Sequence, residues 1–125
     1  MRVHDPALHI EQIILAARNA MTFVVGLSEK DFLTDLRTQH AVAMSLIVIG
    51  ENGKRLLRKC PEFVNAHAHV PWLEMTNMRD RIAHGYETLN FPIIWQTVRD
   101  DLPSLLQVLE PILAELDGAG SPGGL

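Results

Sequence analysis

Residues 41–49, Ala-Val-Ala-Met-Ser-Leu-Ile-Val-Ile, form the stretch that decides the fold class of this chain. As a helix, the stretch is apolar on nearly every side, and such a helix lies at the centre of a bundle or against another subunit. It is interrupted by Ser45 and is too short to span a bilayer. The flanking pattern extends the predicted helix from about residue 34 to residue 59.

Helical signals continue on the N-terminal side of this stretch. Asp5-Pro6 predicts a helix start, because aspartate is a good cap and proline suits the first helical position. Apolar residues then recur at helical spacing until Gly26, where we expect that helix to end. Ser28 and Asp31 resemble a capping arrangement that opens a short helical turn.

Helical patterns also fill most of the C-terminal side. Residues 61–70 are interpreted as a connector and residues 71–86 as a helix. The last helical stretch begins at Phe91, and Pro103 and Pro111 should kink or divide it, because each removes a backbone donor and crowds the preceding turn. No strand-like alternation stands out, so the sequence predicts an all-α bundle of four to five helices.

Length and charge limit the possible classes of protein. The 125 residues suffice for one domain, which we assign to residues 1–116, and we expect the glycine-rich residues 117–125 to form a disordered tail. The N-terminus lacks the apolar core of a signal peptide, and a single cysteine, Cys60, fits a reducing cytoplasm. With a net charge of −4, any role on RNA requires a local basic patch or a surface shared by two chains.

An arginine lies where the pattern of residues 71–86 calls for an apolar side chain. At about 100° per residue, one side of this helix carries a core-facing stripe of Trp72, Met75, Ile82, Ala83 and Tyr86. Arg79 falls inside the stripe. A guanidinium in that position keeps its proton and must find a carboxylate, a carbonyl or an anion.

Arg79 and His84 together suit metal-free phosphodiester chemistry. Histidine can move a proton at a ribose hydroxyl near neutral pH, and arginine can hold a phosphate and offset its growing charge. Five residues apart, the two side chains point about 140° away from each other on an ideal helix. They could share a pocket only if the helix loosens near Gly85 or if two chains bring their motifs together. The structural alternative is that Arg79 pairs with a carboxylate such as Glu51.

Other candidate residues also have a structural and a functional interpretation. Tyr86 either closes the core or serves as a stacking ring or modification site. Lys54, Arg55, Arg58 and Lys59 form the only basic concentration, which either is a solvated helix end favoured by the macrodipole or contacts RNA phosphates.

A metal site is not expected from this sequence. His67 and His69 are two residues apart, so they do not share a helix face, and no further ligand stands at a suitable spacing. We therefore predict no metal and no cofactor.

The sequence resembles the HepT-like toxins, which are HEPN-domain ribonucleases. The resemblance is carried first by Arg-x4-His-x-Tyr, here Arg79, His84 and Tyr86. It extends over almost the whole chain except the tail, through residues 32–42, 47–51, 71–72, 95 and 101–103.

The resemblance implies a toxin that acts as a metal-independent endoribonuclease and forms a homodimer with an HEPN-like helical bundle. It implies that Arg79 and His84 are the catalytic pair and that two copies face a shared cleft. It further implies a partner, a minimal nucleotidyltransferase antitoxin of the MNT type, which silences the toxin by attaching AMP to Tyr86.

Asp80 departs from the motif of the family that the sequence resembles, because many HEPN nucleases have asparagine directly after the motif arginine. A carboxylate at that position would repel an RNA phosphate unless Arg81 or another cation neutralises it. Asp80 and Glu51 are therefore candidate supporting residues. The alternative functions are a non-catalytic helical module that binds a nucleotide or a protein, and a structural partner that docks the nucleotidyltransferase.

Overall fold

A computed structural model describes residues 5–120, and over this range the all-α prediction is confirmed, with no strand. Four long helices are accompanied by three short ones, and a π turn joins the last two into one continuous helix. The helices are α1 Pro6–Phe23, α2 Glu29–Leu33, α3 Leu36–Lys59, α4 Pro61–Ala66, α5 Trp72–Gly85, α6 Phe91–Gln96 and α7 Leu102–Gly120, with a 3-10 turn at Tyr86–Thr88 and the π turn at Thr97–Asp101.

The predicted caps are present at the start of the chain. The Asp5 side chain accepts a hydrogen bond from the Ala7 amide at 2.9 Å, which satisfies a donor that the first turn leaves without a partner. Ser28 and Asp31 form a reciprocal capping box on α2. Helix α1 ends at Phe23, slightly before the predicted end, and Gly26 lies in the following turn with φ of +81°, a conformation that favours glycine.

Three sequence-based boundaries need correction. The predicted connector contains helix α4, which Pro61 begins at the first helical position. Pro103 does not divide the last helix. It follows the π turn directly, and its missing N–H is one that would otherwise bond to the Arg99 carbonyl. Helix α7 passes through Pro111 and ends at Gly120, so it includes residues 117–120 of the predicted tail. Residues 121–125 lie outside the described residues.

Helix α3 is the centre of the fold. It packs against α1 on one side and against α5 on another, and α7 packs on α1. The core includes the fully buried side chains Ile10, Ile13, Val42, Leu56 and Leu109. Within the described range, no helix is both long and apolar enough to cross a membrane.

One face of the α1–α3 pair is apolar but uncovered. Met44 on α3 is 60% exposed and Leu15 on α1 is 53% exposed, and Phe23 lies on the same groove. Of the two placements predicted for the long helix, the centre of the bundle is observed, and contact with another subunit stays a prediction.

Candidate active site

The site begins at a close crossing of α3 and α5. A Cβ atom placed on Gly50 would lie 2.1 Å from the Arg79 Cβ and 2.8 Å from the Met75 carbonyl oxygen. No side chain fits into that space, so glycine lets the two helices approach until Arg79 lies directly on α3. The predicted stripe is otherwise correct for Trp72, Met75 and Ile82, which are buried, whereas Tyr86 is partly buried and Ala83 is exposed.

Four alternating charges surround this crossing, and we call them the charge cluster: Glu51, Lys54, Arg79 and Asp80. Arg79 Nε lies 2.6 Å from Glu51 Oε2, and Arg79 Nη1 donates to Asp80 Oδ1 at 3.1 Å. Lys54 Nζ donates to the same Asp80 oxygen at 2.8 Å. The Nε–Oε2 contact is an ion pair without the alignment of a hydrogen bond. The structural alternative for Arg79, pairing with Glu51, is thus observed.

The charge cluster is open to solvent on one side. The Arg79 side chain is only 24% exposed, whereas that of Asp80 is 41% exposed. The hydrogen bond from Lys54 is the main cause that holds the pKa of the Asp80 carboxyl below its ordinary value. Asp80 is therefore ionised at neutral pH, and an anion that approaches Arg79 meets a carboxylate whose charge Lys54 already offsets.

His84 is exposed on the last turn of α5. Helix α5 loosens at Gly85, whose backbone has φ of −149° and ψ of 43°, and a 3-10 turn follows at Tyr86. The helix therefore loosens near Gly85 as one of the two alternatives required, but it does so after His84 and leaves the direction of the His84 side chain unchanged. Within one chain Arg79 faces α3 and His84 faces solvent.

Tyr86 lies beneath the end of α5 in an aromatic cluster. Its ring centroid is 5.1 Å from that of His40 and 6.0 Å from that of Phe91. Its hydroxyl is buried and has no hydrogen-bond partner among the described residues. Burial raises the pKa of this phenol. The predicted modification site is thus shielded in this conformation.

The basic run of α3 divides into two parts. Lys54 is bound to Asp80, whereas Arg55, Arg58 and Lys59 are exposed. Only the latter three are freely placed to meet RNA phosphates.

The histidines between α4 and α5 have local contacts. His67 Nδ1 lies 3.0 Å from the Phe63 carbonyl oxygen, and the His67 and His69 rings are 6.0 Å apart. In the described part of the chain, no three His, Cys, Asp or Glu side chains group as metal ligands do.

Sequence reasoning missed three features of this region. These are the close approach at Gly50, the link between Lys54 and Asp80, and the contact of His40 with Tyr86. The only signal for the first was a glycine inside an otherwise continuous helical pattern, which often marks a close packing contact. The other two join residues far apart in sequence, and spacing carries no signal for them.

Comparisons with known proteins agree with this helical arrangement. The profile of the family described as "Ribonuclease HepT-like" matches residues 13–112. A protein of Thermococcus cleftensis named "Probable ribonuclease HepT" is 36% identical over 97 residues, which cover 78% of this chain and 86% of that protein. No solved structure shows a significant match.

Two further relatives have similar coverage. A "Putative RNase" of Methanocaldococcus jannaschii is 34% identical over 115 residues, covering 91% of this chain and 92% of the relative. A "Putative RNase" of Caldanaerobacter subterraneus is 35% identical over 108 residues, covering 86% of this chain and 94% of the relative.

Proposed function

The chain belongs to the HepT-like ribonuclease family, and from that premise we propose that it is a metal-independent endoribonuclease, the toxin of a toxin–antitoxin pair in the cytoplasm. Arg79 and His84 are its catalytic pair. The observation that carries the proposal is that the last two turns of α5 present an arginine anchored between two carboxylates and an exposed histidine.

The reaction follows from these two side chains. The ribose 2′-oxygen attacks the adjacent phosphorus, the bond from phosphorus to the 5′-oxygen breaks, and a 2′,3′-cyclic phosphate and a 5′-hydroxyl result. His84 accepts the proton of the 2′-hydroxyl and returns a proton to the leaving oxygen. Arg79 binds the phosphate and offsets the charge that develops on its oxygens.

The separation of Arg79 and His84 within one chain supports a homodimer. A second copy can bring its His84 toward the Arg79 of the first, which the helical backbone between Arg79 and His84 does not permit within one subunit. The uncovered apolar face with Leu15, Phe23 and Met44 offers surface for such contact.

Control of the enzyme is proposed to act through Tyr86. An MNT-type nucleotidyltransferase attaches AMP to its hydroxyl, and the added bulk and negative charge oppose the approach of RNA. Because the hydroxyl is buried, the segment Tyr86–Thr88 must turn outward before it can be modified.

The catalytic proposal is tested with purified protein and a labelled RNA in the presence of a chelator. Arg79→Ala and His84→Ala should lose cleavage and should no longer arrest growth, while His69→Ala, which removes another exposed histidine, should do neither. Cleavage by both catalytic variants at the parental rate would refute the assignment.

The regulatory proposal is tested by mass spectrometry of the chain after co-expression with an MNT-type nucleotidyltransferase. We expect mass additions of AMP that map to Tyr86 and are lost in Tyr86→Phe. An unmodified Tyr86 in a chain that the partner nevertheless inhibits would favour docking over modification.

A non-catalytic binding module is the second candidate, because Arg79 is already engaged by Glu51 and Asp80. In that case the pure protein would bind a nucleotide or an RNA and leave the RNA intact. Product analysis of the same cleavage assay separates the two functions.

A further inference from the structure

We propose that Lys54 is a positioning residue, which binds Asp80 and thereby leaves Arg79 free to take an RNA phosphate. This inference rests on the proposed function. It assigns Lys54 to the site through its contact with Asp80 rather than through a contact with RNA.

The first argument is the balance of charge. The charge cluster contains two carboxylates, Glu51 and Asp80, and two cations, Lys54 and Arg79, so its formal sum is zero. Without Lys54 the sum is negative at the point where a phosphate must bind. Like charges a few ångströms apart repel each other, so an uncompensated Asp80 carboxylate would weaken phosphate binding to Arg79.

The second argument is the sharing of a single oxygen. Asp80 Oδ1 accepts from Lys54 Nζ at 2.8 Å and from Arg79 Nη1 at 3.1 Å, so the two cations share one oxygen. When a phosphate takes Nη1, Asp80 keeps its shorter contact with Lys54 and remains neutralised. If Lys54 is removed, Arg79 becomes the only described cation on Asp80, and the carboxylate competes with the phosphate for the guanidinium.

The third argument is that the crossing fixes the position of the arginine. Glycine at position 50 brings Arg79 onto α3, where Nε lies beside Glu51. Glu51 and Asp80 thus engage Nε and Nη1. A guanidinium binds a phosphate best through two parallel N–H groups, so a phosphate that uses Nη1 and Nη2 draws on the same Nη1 group that contacts Asp80.

The test is a double-mutant cycle between Lys54 and Asp80. We measure cleavage of a labelled RNA and binding of the same sequence as non-cleavable 2′-O-methyl RNA. Lys54→Met should weaken binding and lower kcat/KM by about tenfold, and Lys54→Arg should restore most of the loss. Asp80→Asn should strengthen binding. In the Asp80→Asn background, Lys54→Met should cost less than about threefold.

A matched control separates positioning from simple loss of charge. Arg55→Met removes a cation one residue away that is exposed, and its effect should be the same in the parent and in the Asp80→Asn background. If Lys54→Met also costs the same factor in both backgrounds, Lys54 contacts RNA directly and the proposal is overturned.

The outcomes also distinguish this inference from the proposed function. If the parent binds 2′-O-methyl RNA but does not cut RNA, the endoribonuclease assignment fails, while the binding cycle still decides the role of Lys54. If the parent binds no RNA, or if Arg79→Ala binds as well as the parent does, there is no phosphate contact to position and the role of Lys54 is refuted.

Discussion

The two sides of α3 carry different kinds of polar contact. Toward α1 a histidine meets a side-chain amide, and the other ring nitrogen, His9 Nε2, is buried without a hydrogen-bond partner among the described residues. His9 Nδ1 lies 3.0 Å from Asn52 Oδ1, and Asn52 Nδ2 donates to the Val48 carbonyl at 2.9 Å. Both side chains are buried. Toward α5 the contacts are ionic and partly exposed, through the charge cluster.

The difference separates a structural polar contact from a functional one. Solvent and solutes cannot reach the pair of His9 and Asn52, so its partners are fixed by the fold. In the charge cluster, water and anions reach the carboxylate of Asp80 and the edge of Arg79, so an incoming phosphate can replace an internal partner. The buried contact of His9 with Asn52 lies between α1 and α3, whereas the charged, accessible contacts between α3 and α5 form the proposed site.

The largest expected effects come from exchanging the two histidines for alanine. His84→Ala should lower kcat/KM by about 10²- to 10⁴-fold, because it removes a general acid–base, and should leave the melting temperature near that of the parent. His9→Ala leaves Asn52 without its donor and should lower the free energy of unfolding by about 1–3 kcal/mol.

These two variants are compared by urea unfolding and by kcat/KM per folded molecule. A His9→Ala protein that is as stable as the parent would contradict the structural role of His9. A His84→Ala protein that keeps full activity would contradict the catalytic role of His84.

Gly50 and Gly53 offer a smaller and closely matched test on the α5 side. Gly50→Ala forces a Cβ to 2.1 Å from the Arg79 Cβ and should cost about 1–3 kcal/mol of stability, with a loss of activity as Arg79 is displaced. A Cβ on Gly53 would meet Thr76 Cγ2 at 3.6 Å, an ordinary contact.

Gly53→Ala is therefore the control, and we expect it to be neutral or to stabilise the helix by up to about 1 kcal/mol. Thermal unfolding and RNA cleavage are measured on both proteins. Equal effects of the two substitutions would mean that the close crossing at Gly50 does not constrain the site.

A smaller effect is expected from acid. The pKa of Asp80 is below the ordinary value of 3.8, so its ion pairs stabilise the fold above the unfolded-state pKa and lose that contribution as pH falls through the folded-state pKa. The melting temperature of the parent should exceed that of Asp80→Asn near neutral pH, and the gap should narrow as the pH falls through the lowered folded-state pKa of Asp80. A gap that does not narrow on acidification would contradict the ionic contact.

The smallest effect is expected for Tyr86→Phe in the absence of a partner. The buried hydroxyl has no hydrogen bond among the described residues, so its removal should leave stability unchanged or raise it by about 1 kcal/mol. A clear loss of stability on urea unfolding would show that the hydroxyl has a stabilising partner.

Local signals predicted the helices well, because caps and periodicity are encoded within a few residues. Asp5 and Ser28 cap α1 and α2 as their types predict. Sequence also singled out Arg79 as a charge within an apolar stripe and named Glu51 as its structural partner, which the structure confirms.

The remaining contacts depend on how α3 and α5 cross. Lys54 and Asp80 meet only because Gly50 sets that crossing, and no periodicity within either helix encodes its register. Likewise, the burial of the Tyr86 hydroxyl depends on His40 and Phe91, which come from other helices. The catalytic roles of Arg79 and His84 stay predictions.

The π turn has a consequence for how the last helix stays in phase with α1. The buried residues Ile94, Val98 and Leu102 of this helix are spaced by four. In a regular helix with about 100° per residue, four residues exceed one full turn by about 40°, so the line of buried side chains would rotate around the helix by that angle at each step. A π turn holds more residues than an α turn, so it absorbs this rotation between Thr97 and Asp101. Leu105 and Leu109 therefore continue the same line after it. The extra residue keeps the buried stripe in phase, so that the π turn and α7 both pack on α1, while α6 packs on α2.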